Sequence, residues 1–192
     1  MFIISQKMMR KVSEIKNVLE HICLNTYICA MNDSPLHIRL KQERFESPVQ
    51  QAMLSILVSA DIIKRNQLTV CCDKDLTHSQ YNILRILKGT PEGFCRKEII
   101  ERMLEKAPDV TRLIDGLVAR NLAERIQSPI DKRMSLTRIT EEGLHLLDEL
   151  HVPMQSFAKE MDAMFSEEEL FTITELCGRV IAHELQIEGM LK

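Results

Sequence analysis

The stretch from Cys95 to Thr140 constrains this chain more than any other. It reads as a short amphipathic run, a turn, a second amphipathic run from Asp109 to Arg120, then a strand, a charged loop and another strand. In the second run Val110, Leu113, Ile114, Leu117 and Val118 recur at helical spacing, so one side of that helix belongs to a core. The other side carries Asp109, Arg112, Asp115, Gly116 and Ala119, with Thr111 at its margin. Gly and Ala put almost no side chain there, and Gly and Asp are poor helix formers. The helix loses some stability, and another surface can approach its backbone closely. A DNA groove is one such surface.

The next segment sharpens that reading. Leu122–Ile126 and Met134–Ile139 are short, rich in branched residues, and separated by Gln-Ser-Pro-Ile-Asp-Lys-Arg, which predicts a two-stranded hairpin with a basic tip. Helix, turn, helix and hairpin, in that order, make a winged helix-turn-helix. Its second helix enters the major groove while the hairpin reaches the flanking backbone or the minor groove.

The charge distribution agrees. The whole chain of 192 residues carries a formal charge of −3. Between Gly93 and Thr140, however, ten basic residues face seven acidic ones, whereas from Glu141 to Lys192 three face twelve. The basic excess sits in the reading motif, as it would if only that part touched phosphate. With 4% aromatic residues and no Trp, the chain lacks a stacking platform for single strands. A hydrophobic content of 45% is enough for a real core.

Local signals give the remaining elements. Val12, Ile15, Leu19, Ile22 and Thr26 predict a helix over Lys7–Cys29, broken by Asn-Asp-Ser-Pro at 32–35; residues 1–44 form an N-terminal extension, and Met31 is a candidate initiator. Ser47-Pro48-Val49-Gln50 opens a long helix to Asn66, followed by a linker from Gln67 to Leu76. Thr77-His78-Ser79-Gln80 is a second capping box, opening a helix through Lys88 that Gly89 closes. Cys95 stands where a helix cap belongs, and a thiol caps poorly. Pro108 and Asp109 begin the second helix of the motif, and Asn121 ends it in the left-handed conformation. Thr140 caps a helix that continues past a kink at Pro153, and Ser166-Glu-Glu-Glu169 opens a last helix to Gly189. The terminal helices have more apolar edge than the small central motif can cover, so a homodimer is expected, offering two reading helices to a palindromic site.

Three pieces together resemble the MarR family of transcription regulators: Val110-Thr111-Arg112-Leu113-Ile114-Asp115, Asp131-x-Arg133, and Ile139-Thr140-Glu141-Glu142-Gly143. The resemblance covers about residues 46–189. It implies a mainly α fold, a winged helix-turn-helix (about 77–140) with a two-stranded β-wing, and long N- and C-terminal dimerisation helices (about 47–66 and 141–190) within a domain of residues 45–190. It also implies binding to double-stranded DNA at a palindromic operator, usually as a repressor, with release by a small aromatic or phenolic effector or by an oxidant. The chain departs from the family pattern at Asn121, where Gly is usual, and at Cys95.

On this reading Arg112 makes a bidentate contact to guanine or to a phosphate. Thr111 and Asp115 touch base edges or phosphate, unless Asp115 pairs with a neighbouring Arg. Arg133 resembles the family's minor-groove arginine, with Asp131 holding its fork, and Lys132 contacts phosphate. Six cysteines (23, 29, 71, 72, 95 and 177) have no metal-site spacing and read as reduced thiols of a cytoplasmic protein; Cys95, beside Arg96 and Lys97, has the best setting for a lowered pKa. The histidines at 78, 145, 151 and 183 have no ligand spacing either, so no metal and no cofactor are expected. No catalytic constellation stands in a usable context, and no stretch is apolar for long enough to span a membrane. The competing expectation is a winged-helix module whose same face meets a protein instead of DNA.

Overall fold

The computed structural model describes residues 35–105 and 107–191. The chain falls into two compact units, residues 1–63 and 64–192. The helix expected over Lys7–Cys29 lies outside the described residues.

In the first unit Pro35 opens a short helix, α1 (Pro35–Leu40), because its missing amide costs nothing at a first helical position. Lys41 then turns left-handed at φ 53°. The helix α2 (Pro48–Cys72) starts as its cap predicts: the Gln50 amide donates to Ser47 Oγ at 3.1 Å. The Gln50 side chain reaches one residue further back than a standard box, to the Glu46 amide at 2.7 Å. The expected linker from Gln67 is mostly helical. Nothing from Gln67 to Cys72 breaks a helix, and the true stop is Asp75, left-handed at φ 52°.

The second unit contains the winged helix. Its first helix, α3 (His78–Leu87), is held by a reciprocal cap in which Thr77 Oγ1 accepts from the Gln80 amide and Gln80 Oε1 accepts from the Thr77 amide, both at 3.1 Å. Gly89 stays out of the left-handed region; the Lys88 amide, donating to Leu84 O, closes the last turn. Then come β1 (Phe94–Cys95), α4 (Arg96–Arg102), α5 (Val110–Ala119), β2 (Ala123–Gln127) and β3 (Ser135–Ile139). The sheet has three strands in the order β1-β3-β2, one more than the hairpin alone predicts. Phe94 pairs with Thr137 and Cys95 with Leu136, antiparallel. Gly93 makes this possible: at φ 82°, a Cβ there would lie 2.6 Å from Thr137 O. A two-residue strand is too short for periodicity to reveal.

The core gathers Ile83, Leu84 and Leu87 of α3, Ile99 of α4, and Val110, Ile114 and Leu117 of α5, with Leu122, Ala123, Cys71 and Leu76. It is completed by Leu147 and Leu150 of α6 (Glu141–Asp162), which runs on through Pro153. Each fully buried Leu or Ile contributes about 1.5–3 kcal/mol of transfer free energy. The last helix, α7 (Glu167–Ile187), opens with the expected box between Ser166 and Glu169, but none of its residues is buried.

Gly143, in the first turn of α6, is where two tendencies conflict. Helix propensity alone would make Gly143→Ala stabilising by about 1 kcal/mol. A Cβ there would stand 2.2 Å from the backbone oxygen of Leu122, however, and backbone cannot step aside. Gly143→Ala is therefore expected to destabilise by about 1–3 kcal/mol in urea unfolding. A stabilised variant would show that the junction is loose.

Candidate nucleic-acid interface

The helix α5 separates its faces as its periodicity predicts. Val110, Ile114 and Leu117 are buried, and Arg112, Asp115 and Ala119 are exposed. Asp109 is the cap: its carboxylate accepts the Arg112 amide at 3.0 Å, so its charge is spent on the helix start. Gly116 is not simply open to a visitor, because a Cβ there would meet Gln80 Nε2 at 2.9 Å; its smallness admits the start of α3. Asn82 Oδ1 accepts the Leu104 amide at 3.0 Å and so ties α3 to the turn between α4 and α5.

Two partners of α5 escape sequence reasoning. Arg96, at the first position of α4, donates from Nη1 to Thr111 Oγ1 at 3.1 Å. Arg125 of β2 donates from Nη2 to Asp115 Oδ1 at 2.5 Å, so of the roles open to Asp115, pairing with a neighbouring Arg is the one occupied in the free protein. The pairs span fifteen and ten residues; the sequence offers a neighbouring Arg as a partner for Asp115, but nothing local singles out Arg96 or Arg125.

The wing tip is an ordered turn. Ser128 Oγ accepts from the Ile130 and Asp131 amides at 3.3 Å each, while the Ser128 amide donates to Met134 O and the Met134 amide to Asp131 O, both at 2.9 Å. Asp131 Oδ1 accepts the Arg133 amide at 2.9 Å. Asp131 therefore holds the backbone of Arg133, where the sequence suggests its guanidinium. The six candidate contact residues form two groups: Thr111, Arg112 and Asp115 on α5, and Asp131, Lys132 and Arg133 at the wing tip.

The motif's cations divide sharply by occupation. Arg120 donates to the carbonyls of Asp75 and Lys74 at 2.6 and 2.8 Å, Arg138 pairs with Glu124 at 2.7 Å across the hairpin, and Arg102 lies over the Phe94 ring at 4.3 Å. The side chains of Arg112, Lys132 and Arg133 are exposed and make no hydrogen bond or ion pair with the described residues. Beside Arg112 lies a shallow hollow lined by Gln80, Ala107, Pro108, Leu113, Gly116 and Ala119, with Asp109 and Asp115 also on its wall.

The MarR family model matches residues 74–134. A MarR transcription factor of known crystal structure from Planctomyces limnophilus is 32% identical, superposes with a TM-score of 0.53, and is matched over 70% of this chain and 98% of its own. The chain belongs to the MarR family. Among curated members, the HTH-type transcriptional regulator MhqR of Bacillus subtilis is 32% identical over 84 residues, which are 44% of this chain and 58% of MhqR. The chain thus spans less than two thirds of that relative's length. A mutant MarR from E. coli, solved in complex with operator DNA, has the same fold at 22% identity, with a TM-score of 0.59 over 65% of this chain and 89% of that one. In this family member, as in the general winged helix, α5 is the second helix of the helix-turn-helix and the β2–β3 hairpin is the wing.

Among the described residues no three His, Cys, Asp or Glu are grouped to hold a metal ion, and no helix is long and apolar enough to cross a membrane. Cys71, Cys72, Cys95 and Cys177 are free thiols. At Cys95 the capping is done from the other side: Glu98 accepts the Cys95 amide at 2.8 Å, which holds the Glu98 carboxyl below its usual range. Cys71 is fully buried, and burial, helped by a neighbouring Cys72 thiolate, pushes its thiol up to about 11. Cys72 is exposed. Iodoacetamide at pH 8 is therefore expected to label Cys72 in the folded protein and to spare Cys71, because reaction needs both thiolate and access. Peptide mapping checks this, and equal labelling of the two would contradict the packing around the end of α2.

Proposed function

We propose that the protein is a homodimeric, sequence-specific DNA-binding transcription regulator, acting as a repressor in the cytoplasm and released from a palindromic operator by a small ligand or an oxidant. The observation that carries this reading is the sorting of cations. The motif's structural arginines are occupied, while Arg112 on the outer face of α5 and Lys132 and Arg133 at the wing tip are exposed and unpartnered among the described residues. A cation held out on a small-residue helix face suits a guanine edge or a phosphate, and one on a projecting hairpin suits the flanking minor groove. In this assignment Thr111 and Asp115 also face the DNA, and Asp131 shapes the tip that presents Arg133.

Family membership and the E. coli operator complex of the same fold support DNA as the partner. The homodimer is supported by α7, whose Phe171, Leu176, Val180 and Ile181 are all more than half exposed, a cost that a second copy would remove. Two copies related by a two-fold axis would set two α5 helices on half-sites about one helical turn apart. The hollow beside Arg112 offers a small aromatic molecule an apolar surface in competition with DNA for the same helix face, while Asp109 and Asp115 on its wall weigh against a strongly anionic one. No cofactor is called for.

The test is fluorescence anisotropy on the duplex immediately upstream of the chain's own coding sequence, across a salt series. Arg112→Ala and Arg133→Ala are each expected to cost about 1–3 kcal/mol of binding, with unchanged melting temperature. Lys132→Ala should weaken binding to all duplexes alike and reduce the salt slope by about one. Retention of full affinity by both arginine variants would favour a protein-contact module on the same face.

A further inference from the structure

The outer face of α5 has one feature that binding to a polyanion does not explain, namely Asp115. A carboxylate on a face that meets DNA repels every phosphate it approaches. Among base edges in the major groove it is welcome only where an amino group can donate, cytosine N4 above all. Its partner Arg125 stands on the neighbouring strand, joined through Nη2 to Asp115 Oδ1 at 2.5 Å. Both side chains are about half exposed, at 54% and 49%.

A half-exposed ion pair adds little to stability. The junction between α5 and β2 has no need of it, since Leu117, Leu122 and Ala123 are buried there and Thr140 donates to the Asn121 carbonyl at 2.7 Å. The pair does determine what the face offers to DNA. With Asp115 in place, Arg125 is held in a neutral couple and its guanidinium is not free to seek a phosphate. The second carboxylate oxygen, Oδ2, makes no hydrogen bond with the described residues and is left as an acceptor on the exposed side of the helix. Arg112, one turn earlier on the same face, has no such restraint among the described residues.

We propose that Asp115 is a specificity-determining residue: it restrains Arg125 from sequence-blind phosphate contact and accepts only a base donor, so that it suppresses binding to the wrong duplex more than it helps binding to the right one. This rests on the DNA-binding reading above. It assigns opposite roles to two neighbours on one helix, Arg112 supplying affinity and Asp115 supplying discrimination.

Two duplexes test it, one selected by the wild-type chain from a randomised pool and one of the same composition scrambled. Asp115→Asn keeps the shape and removes the charge. It is expected to bind the scrambled duplex about five- to tenfold tighter, to lower the ratio of selected to scrambled affinity by at least about fivefold, and to steepen the salt slope on the scrambled duplex by about one as Arg125 is released. The double variant Asp115→Asn/Arg125→Gln should lose that gain and return to within about twofold of wild type on the scrambled duplex. An unchanged ratio between the duplexes, or a gain that survives in the double variant, would overturn the proposal while leaving the DNA-binding reading intact. A wild-type chain that selects no duplex from the pool at low salt would overturn that reading, and this inference with it.

Discussion

One hydroxyl, that of Thr140, joins three elements whose relative placement sets the proposed DNA-binding face. It donates to the carbonyl of Asn121, the residue at φ 56° that stops α5, at 2.7 Å, and it accepts the Gly143 amide at 3.1 Å, capping α6. The Thr140 amide meanwhile donates to Leu122 O at 3.2 Å, where the hairpin begins. The contact between helix start and hairpin base is so close that residue 143 has no room for a Cβ. Because strands β2 and β3 pair from Ala123 and Ile139 outward, this junction also sets the register on which the wing tip depends. It works together with the buried Leu117, Leu122 and Ala123, which pack the end of α5 against the start of the hairpin.

Charge is then distributed on that frame by occupation more than by number. The second unit contains many cations, but most are engaged in holding elements together. Arg120 closes the loop after α2, Arg138 ties the two hairpin strands, Lys74 pairs with Glu149 and Lys88 with Asp148. A net excess of charge would say little about contact with a polyanion. Which cations are still available says more, and among the described residues of the winged helix these are Arg112 on the outer side of α5 and Lys132 and Arg133 at the hairpin tip. The hydrogen-bonded turn under that tip, built on Ser128 and Asp131, would limit the conformational entropy lost in the proposed binding.

Much of the fold is legible in the sequence because its punctuation is local. The caps at Ser47, Thr77 and Ser166 and the left-handed Asn121 are each settled by bonds within a few residues, and the stripe on α5 needs only the helical period. Where sequence reasoning fails, the missing information lies elsewhere in the chain. The end of α2 lies at a left-handed Asp75, a residue type with weak signal, and β1 exists only because Gly93 lets two residues lie against β3. For Asp131 and Gly116 the sequence suggests reasonable neighbours, which the fold replaces with a backbone amide and Gln80. Arg96 and Arg125 reach α5 from fifteen and ten residues away, and only the tertiary structure reveals them.

The central claim, that the outer side of α5 and the tip of the β2–β3 hairpin are where duplex DNA sits, is tested most directly by backbone amide hydrogen exchange with and without the upstream duplex. Added protection is expected over Val110–Ala119 and Ser128–Met134, with α7 unchanged. Protection confined to α7, with those two segments unaffected by DNA, would contradict it.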